Sequence, residues 1–408
     1  YRPLSVKKVF SASTVAVATP VAPPRDPMAT TTPLEVPTVD IADLRSPRLE
    51  DQQRAQAALN RGFGTFGIVY VRNAALADED LESFYRSYLS FTARPLAEKE
   101  ALSGGDIWYQ RGWTPPNTEQ AVVAGGQPDF KECFFAAPEP LDELAKQMYP
   151  QIYAANRWPS GFDGAEEFHE KYMMIGHELH EVGLALLRGC ATALGLKPFT
   201  FEAMAHGGPH VTRALRYLPV SDAQISEGVV WGEEHTDFNL LTVLPGGRFL
   251  NPEHSTAGIP SFCPPPEQST AGLYLRTRPT EAFPRGEMVR GKPPPGCMVA
   301  QVGQMLEILT GGRYMATPHV IKATSGYERC SMAHFCHVHA TKMLFPLKEF
   351  ADAEAIEAYS PPVLAGTYGL KTLYDIGLTP PSALAQLGYR NYDILSAARA
   401  AEEKVLES

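Results

Sequence analysis

The sequence contains no run approaching the roughly 18 uninterrupted apolar residues of a membrane-spanning helix, which argues against a helical membrane protein. It has no excess of positive charge either. Lys and Arg number 36 against 46 Asp and Glu, a net charge of -10, so the basic footprint that nucleic-acid phosphates require is missing. Cysteine is sparse: six residues, at 133, 190, 263, 297, 330 and 336, with no CxxC pair and no framework spacing. Such thiols read as reduced, in a cytosol-like compartment. No internal repeat is present. What remains is ordinary globular composition, 44% hydrophobic and 20% charged over 408 residues, enough to bury a large core as one big domain or two. The 36 prolines fit a loop-heavy β architecture better than a helical bundle.

Residues 1–35 differ from the rest, with Ser, Thr, Ala, Val and Pro dominating and few charges. No amphipathic period runs through them, and they read as a disordered leader. Their acid-poor, Ser-containing composition also matches an organelle transit peptide. The favoured alternative is that Met28 is the native start. From Pro37 the folded part begins. Val39–Ile41 reads as a strand, Ser46-Pro47 as the start of a helix ending at Gly62, and Phe66–Val71 as a β-branched strand. Asp78, Glu79 and Asp80 suit the positive end of a helix dipole. The apolar stripe Leu81, Phe84, Tyr85, Tyr88 and Leu89 follows them. A longer helix spans roughly 166–194, with Phe168, Tyr172, Ile175, Leu179, Val182 and Leu186 on one face. Short β-type segments then run to about Phe345, and the tail from Ala351 is helical again. The order is α+β, with a leader to 35, a helix and strand region over 36–200, a β body over 201–345 and a helical tail over 346–408.

Chemistry concentrates in the β body. In Trp231-Gly232-Glu233-Glu234-His235-Thr236-Asp237, residues two apart on a strand share a face, so His235 and Asp237 project side by side. A second histidine would complete a two-His, one-carboxylate triad with open positions for substrate and O2 on Fe(II). Alone, H-x-D is weak, and a paired surface His and Asp is the commoner outcome. His319 lies in another strand-like stretch. A hairpin about Thr324 would set it opposite Arg329, with Ser331 on the same face. The planar fork of Arg matches a carboxylate in two-point contact.

These motifs resemble the isopenicillin-N-synthase-like group of 2-oxoglutarate/Fe(II)-dependent oxygenases, and the likeness runs from about residue 36 to 345. Arg94-Pro95-Leu96-Ala97-Glu98-Lys99 is similar to the family's "LP-x-E-K", Tyr109-Gln110-Arg111-Gly112-Trp113 to its "Y-x-R-G-Y", and Asp129-Phe130-Lys131-Glu132 to "D-x-K-E". Asn156–Pro159, Arg216-Tyr217-Leu218-Pro219, Gly272-Leu273-Tyr274, Leu309–Tyr314 and Arg329-x-Ser331 follow in family order. The stretch from Asp237 to His319 is longer than in most members, with the Pro-rich segments 261–270 and 278–295 as insertions. A comparably long loop, and a segment similar to Gly125–Phe130, occur in the bacterial ethylene-forming enzyme. Where the family has "N-x-G-D", this chain reads Gln301-Val302-Gly303-Gln304, a lost carboxylate without explanation in the sequence.

The resemblance implies a double-stranded β-helix (jelly-roll) core with flanking helices. His235, Asp237 and His319 would bind Fe(II), and Arg329 and Ser331 the distal carboxylate of 2-oxoglutarate, with Arg216 and Tyr217 as further cosubstrate contacts. The substrate would be a small molecule oxidised at a C–H bond with O2. The rival readings are a 2-oxoglutarate-independent oxidase, in which Arg-x-Ser grips substrate, and a β-barrel binding protein that has lost turnover. Three other features read as bland. His177-Glu178-Leu179-His180 imitates a zinc-protease helix but has the wrong spacing, and reads as a solvated helix face. His206 and His210 flank a turn and read as loop residues. In the run from Cys330 to His339 no spacing matches a structural zinc site. Strand parity there puts Arg329, Ser331, Phe335, His337 and His339 on one face, and Cys330, His334 and Cys336 on the other. Arg213 is equally a carboxylate contact or a surface residue.

Overall fold

The computed structural model describes residues 35–118, 130–251, 261–279, 283–380 and 382–383. The readings made for residues 1–34, including the leader, and for Gly125–Asp129 lie outside this set. Among the described residues, two sheets hold the molecule together. The larger contains β1 (Thr38–Asp40), β2 (Ile68–Arg72), β3 (Gly112–Thr114), β4 (Lys131–Ala136), β5 (Val211–Tyr217), β7 (Leu241–Leu244), β8 (Arg248–Leu250), β11 (Met298–Val302) and β13 (Glu328–Cys336). The smaller contains β6 (Gly232–His235), β9 (Gly272–Arg276), β10 (Met288–Arg290) and β12 (His319–Lys322), and β14 (Met343–Leu344) pairs with β15 (Val363–Leu364). The larger sheet runs β1-β2-β11-β7-β13-β5-β4-β3, with β8 paired to β13, and the smaller β10-β9-β12-β6. All pairs but β1–β2 are antiparallel. This is the double-stranded β-helix, its two sheets enclosing the cavity described below.

The helices are α1 (Ile41–Arg45), α2 (Leu49–Thr65), α3 (Asp78–Thr92), α4 (Leu96–Glu100), α5 (Glu143–Met148), α6 (Ala165–Ala193), α7 (Thr200–Ala205), α8 (Asp222–Ser226), α9 (Gln304–Leu309), α10 (Ala353–Tyr359) and α11 (Ala365–Asp375). None is long and apolar enough to cross a membrane. The predicted stripes of α3 and α6 are buried at every named position. They meet the outer face of the larger sheet through an aromatic cluster in which Phe91, Phe168 and Tyr172 surround Phe134 of β4, with Phe84 packed against Tyr172. Burial of such rings is a dominant apolar contribution to the core.

Period-two alternation gives β5 and β13 two distinct faces. Ala214, Cys330, Met332 and Cys336 join the core beneath α6, while Val211, Leu215, Tyr217 and Ala333 pack between the sheets. The expected separation into early helices and a late β body is only partly observed. β1 to β4 come from the N-terminal region yet supply both edges of the larger sheet. They pair with exposed strand edges that would otherwise stay open.

The helix expected to stop at Gly62 continues to Thr65 and begins at Leu49, two residues after Pro47. Gly62 does not break it because the position is used for close packing: a Cβ there would lie 2.2 Å from Val69 Cγ1 and 2.8 Å from the Ile68 carbonyl oxygen. Gly→Ala in an exposed helix interior stabilises by up to about 1 kcal/mol. Here Gly62→Ala should instead destabilise by about 1–3 kcal/mol through overpacking, measured as a lower denaturant midpoint at unchanged m-value.

Candidate metal and cosubstrate site

The last residue of β6 is His235, and it pairs directly with His319, the first residue of β12. Their rings lie 4.3 Å apart between centroids. Asp237 is not on the strand, as expected from H-x-D alternation, but in the turn that carries the chain from β6 in the smaller sheet to β7 in the larger one. It still converges with the histidines. His235 Nε2 is 3.8 Å from Asp237 Oδ1, and one ligand atom from each of the three residues lies within 4.8 Å of the others.

Local hydrogen bonds fix which atoms face the common point. His235 Nδ1 is 2.7 Å from the Glu233 carbonyl and His319 Nδ1 is 2.9 Å from that of Thr317. Both Nδ1 atoms therefore carry the proton and donate, and both Nε2 atoms present lone pairs. This is the arrangement in which a ring N–H orients a metal-ligating imidazole. Asp237 Oδ2 accepts from Thr242 Oγ1 and Gln301 Nε2, each at 2.6 Å, which leaves Oδ1 for a cation. Burial and the adjacent His319 ring push the His235 imidazole down to about 4, against the opposing pull of Asp237. Burial alone would raise the Asp237 carboxyl, but the two imidazoles and the bonds from Thr242 and Gln301 outweigh it, and it stays below its usual value. At neutral pH His235 is therefore a neutral imidazole and Asp237 a carboxylate, the protonation states that a divalent metal needs from such ligands. His235 is 39% accessible, and the accessible part faces a cavity. The donor set thus fits Fe(II).

Gln301 belongs to the segment where the family has N-x-G-D. It stands opposite Thr242 in the β11–β7 ladder, and its amide reaches Asp237 and, at 3.3 Å, His319 Nε2. Gln304, in place of the lost carboxylate, opens α9. Its backbone N–H bonds the Asp237 carbonyl at 2.8 Å, its amide donates to Thr236 Oγ1 at 2.7 Å, and its Oε1 accepts from Tyr368. Neither role was legible in the sequence. Only the strand register, which sets Gln301 beside Thr242, could have suggested the first.

The expected hairpin joining His319 to Arg329 is not formed. β12 already has β6 on one side and β9 on the other, and β13 lies in the opposite sheet. Arg329 and Ser331 nevertheless line the same cavity as the triad, of about 890 Å³, because their alternation points them between the sheets. Ser331 is 2% exposed. The Arg329 guanidinium lies 5.3 Å over the Tyr217 ring and 6.0 Å from that of Phe249. A Cβ on Gly247 would come within 2.7 Å of it, so glycine leaves it room. No carboxylate among the described residues pairs with Arg329. Tyr217 thus sits at the cavity, but Arg216 does not. It lies on the outer face of β5, where Nε bonds Glu328 at 2.8 Å and Nη1 bonds Thr92 at 2.9 Å and Glu132 at 3.4 Å. Odd residues of β5 face inward, and Arg216 is even.

A second cavity of about 190 Å³ opens on the other side of His235 and Asp237. Phe135, Val211, Phe238, Met305, Phe335 and Leu373 give it apolar walls, and Arg213 and Lys131 line both cavities. Arg213 is therefore an interior residue, its guanidinium 5.6 Å over Phe135 and 5.1 Å over Phe335. Of the two downstream histidines, His337 lines this cavity, held neutral by burial with its pKa down to about 3. His339 lies outside, beside Asp142 at 3.5 Å. His180 is buried, at 6% exposure, against the expectation of a solvated helix face, while His206 and His210 lie in the loop after α7 as expected, His206 exposed and His210 4% exposed. His177 is exposed, paired with Glu139 at 2.6 Å.

Comparison with known proteins agrees with this geometry. Residues 36–161 match the model of the N-terminal region of non-haem dioxygenases, described from morphine synthesis, and residues 252–338 match that of the 2OG-Fe(II) oxygenase superfamily. Jasmonate-induced oxygenase 4 of Arabidopsis thaliana is 25% identical over 80% of this chain and 79% of its own length. Leucoanthocyanidin dioxygenase of Malus domestica is 22% identical over 81% of each. A Neurospora crassa protein, crystallised in complex with alpha-KG and thymine, superposes with a TM-score of 0.65 at 19% identity, over 83% of this chain and 96% of that one. A two-His, one-carboxylate set inside a double-stranded β-helix, together with both family matches, places the chain in the 2OG-Fe(II) oxygenase superfamily, as a non-haem Fe(II)- and 2-oxoglutarate-dependent dioxygenase.

Proposed function

We propose that His235, Asp237 and His319 hold the iron, and that Arg329 and Ser331 bind the distal carboxylate of 2-oxoglutarate in the larger cavity. On this reading the smaller cavity takes a small, mainly apolar metabolite, oxidised at a C–H bond by hydroxylation, desaturation or ring closure. The observation that carries the assignment is Arg329, a cation without a carboxylate partner among the described residues, aimed into the cavity that the triad also lines. Iron with 2-oxoglutarate supplies the oxidising power from O2, with succinate and CO2 as coproducts.

The chain's own residues bind, orient and exclude water. Gln301 and Thr242 hold the Asp237 carboxylate so that one oxygen is free. Tyr217 and Phe249 sandwich the Arg329 guanidinium, limiting its rotamers and presenting its planar fork to a carboxylate. The walls from Phe135, Phe238 and Phe335 make the substrate side mainly apolar. Leucoanthocyanidin dioxygenase is named for a small organic molecule and the Neurospora crassa protein was crystallised with thymine, which supports a small-molecule substrate here.

The assignment can be tested at the metal, at its supporting amide and at the two arginines. Asp237→Ala should lose stoichiometric iron, measured by metal analysis, with far-UV circular dichroism unchanged; full iron content in this variant would refute the triad. Gln301→Ala should weaken iron about 10- to 100-fold, the usual cost of losing a bond that orients a ligand. Leaving a dicarboxylate end buried without its partner costs on the order of 3–5 kcal/mol, about two to three and a half decades in affinity. Arg329→Ala should raise the Kd for 2-oxoglutarate by that factor with iron retained, read from the metal-to-ligand charge-transfer absorption of the anaerobic complex. Arg216→Ala should leave that titration nearly unchanged while lowering stability by about 3 kcal/mol, because Glu132 and Glu328 lose their shared cation. Equal titrations for the parent and Arg329→Ala would overturn the cosubstrate assignment.

A further inference from the structure

The face of β13 turned away from the iron site carries a second group of metal-ligating side chains. His334 and Cys336 are both 0% exposed and project toward α6, which contributes His180. His180 Nδ1 lies 3.1 Å from His334 Nε2, and one ligand atom from each of His180, His334 and Cys336 lies within 4.8 Å of the other two. On the far side of His334, Nδ1 is 3.0 Å from Thr212 Oγ1. We propose that His180, His334 and Cys336 form a second metal site, with a two-imidazole, one-thiolate donor set for a zinc-class ion, tying α6 to the outer face of the larger sheet.

The helix is shaped around these residues. Gly176 and Gly183 flank His180 on the same stripe of α6, four residues before it and three after. A Cβ on Gly183 would lie 2.5 Å from Cys336 Sγ, and one on Gly176 would lie 2.9 Å from Thr212 Oγ1. Glycine in a helix interior costs about 1 kcal/mol relative to alanine; Gly183 is placed where the sheet brings up Cys336, and Gly176 where Pro138 and Thr212, the partner of His334, come up. His210 completes the wall, its ring 4.4 Å from that of His180, but it is not a ligand. Its Nε2 donates to the Ala205 carbonyl at 3.0 Å and its Nδ1 accepts from the His337 N–H at 3.1 Å, so no lone pair is left.

The donor atoms point to the ion class. With no carboxylate or carbonyl oxygen in the set, calcium and magnesium are disfavoured, and thiolate with imidazole suits zinc. Two nitrogen ligands on tetrahedral zinc stand roughly 3.3 Å apart at ordinary bond lengths, close to the separation seen. Thr212 Oγ1 accepting from His334 Nδ1–H would leave Nε2 a lone pair, the outer bond that orients a ligand histidine. Binding releases one proton, from the thiol; the imidazoles only shift tautomer. Burial holds the Cys336 thiol up at about 12, and coordination is what would deprotonate it.

Cobalt(II) is the probe, because a thiolate ligand gives it an intense near-ultraviolet charge-transfer band that the sulfur-free triad cannot. Metal-stripped, thiol-reduced protein should bind two equivalents, one of them with this band and with tetrahedral visible bands, and zinc should displace it. The Asp237→Ala variant should bind one equivalent and keep the band, so this test is independent of the iron assignment. Cys336→Ser should lose the band and His180→Gln should weaken cobalt binding at this site at least tenfold. The double variant Cys263→Ser/Cys297→Ser, which removes the two partly exposed thiols, should retain it. Absence of the band in both the parent and Asp237→Ala, or its survival in Cys336→Ser, would overturn the proposal, and the first of these needs no cluster variant to fold.

Discussion

One buried carboxylate sets the terms for the interior of this protein. Asp237 is 9% exposed and stands at the crossover between two sheets, where an isolated charge would be expensive to hold. Its stability as an anion depends on partners drawn from four elements. Imidazoles come from β6 and β12, a hydroxyl from β7 and an amide from β11. A cation bound at the free Oδ1, as proposed above, would complete that balance. The register of both sheets is therefore coupled to this carboxylate, since a one-residue slip of any of these strands would turn its contribution to the other face.

The same alternation divides the molecule into two chemistries on either side of β5 and β13. Inward residues such as Arg329, Ser331, Tyr217 and Arg213 line cavities. Outward residues bind the helices. Arg216 shares Glu132 and Glu328, Lys99 adds a contact to Glu132 at 3.0 Å, and Trp113 Nε1 donates to the same carboxylate at 2.9 Å. Adjacent residues of one motif thus serve different ends. Lys131 lines both cavities while Glu132 anchors the outer layer, although the sequence presents them as a unit.

Long amphipathic elements are readable in the amino-acid order alone. The stripes of α3 and α6 and the apolar strand β2 follow from periodicity, and α2 departs by two or three residues because Gly62 serves packing instead of ending the helix. The triad is legible because its residues sit in family motifs of fixed order. Its local geometry is not: Asp237 is in a turn, and Arg329 is not the hairpin partner of His319. Both differences come from sheet membership, which depends on pairings between strands far apart in the chain.

The sequence by itself determined the elements, the donor types and the faces on which they stand, because backbone periodicity and side-chain chemistry are local properties. Tertiary structure decided which faces meet. It sent Arg216 outward to two carboxylates, put Gln301 against Asp237, and brought His180 from a helix to His334 and Cys336 on a strand over 150 residues away. That last cluster joins two motifs that look inert separately. Spacing along the chain could not reveal it, since the distance between ligand atoms is fixed by how closely α6 approaches the sheet, and that approach is permitted by the absent side chains of Gly176 and Gly183.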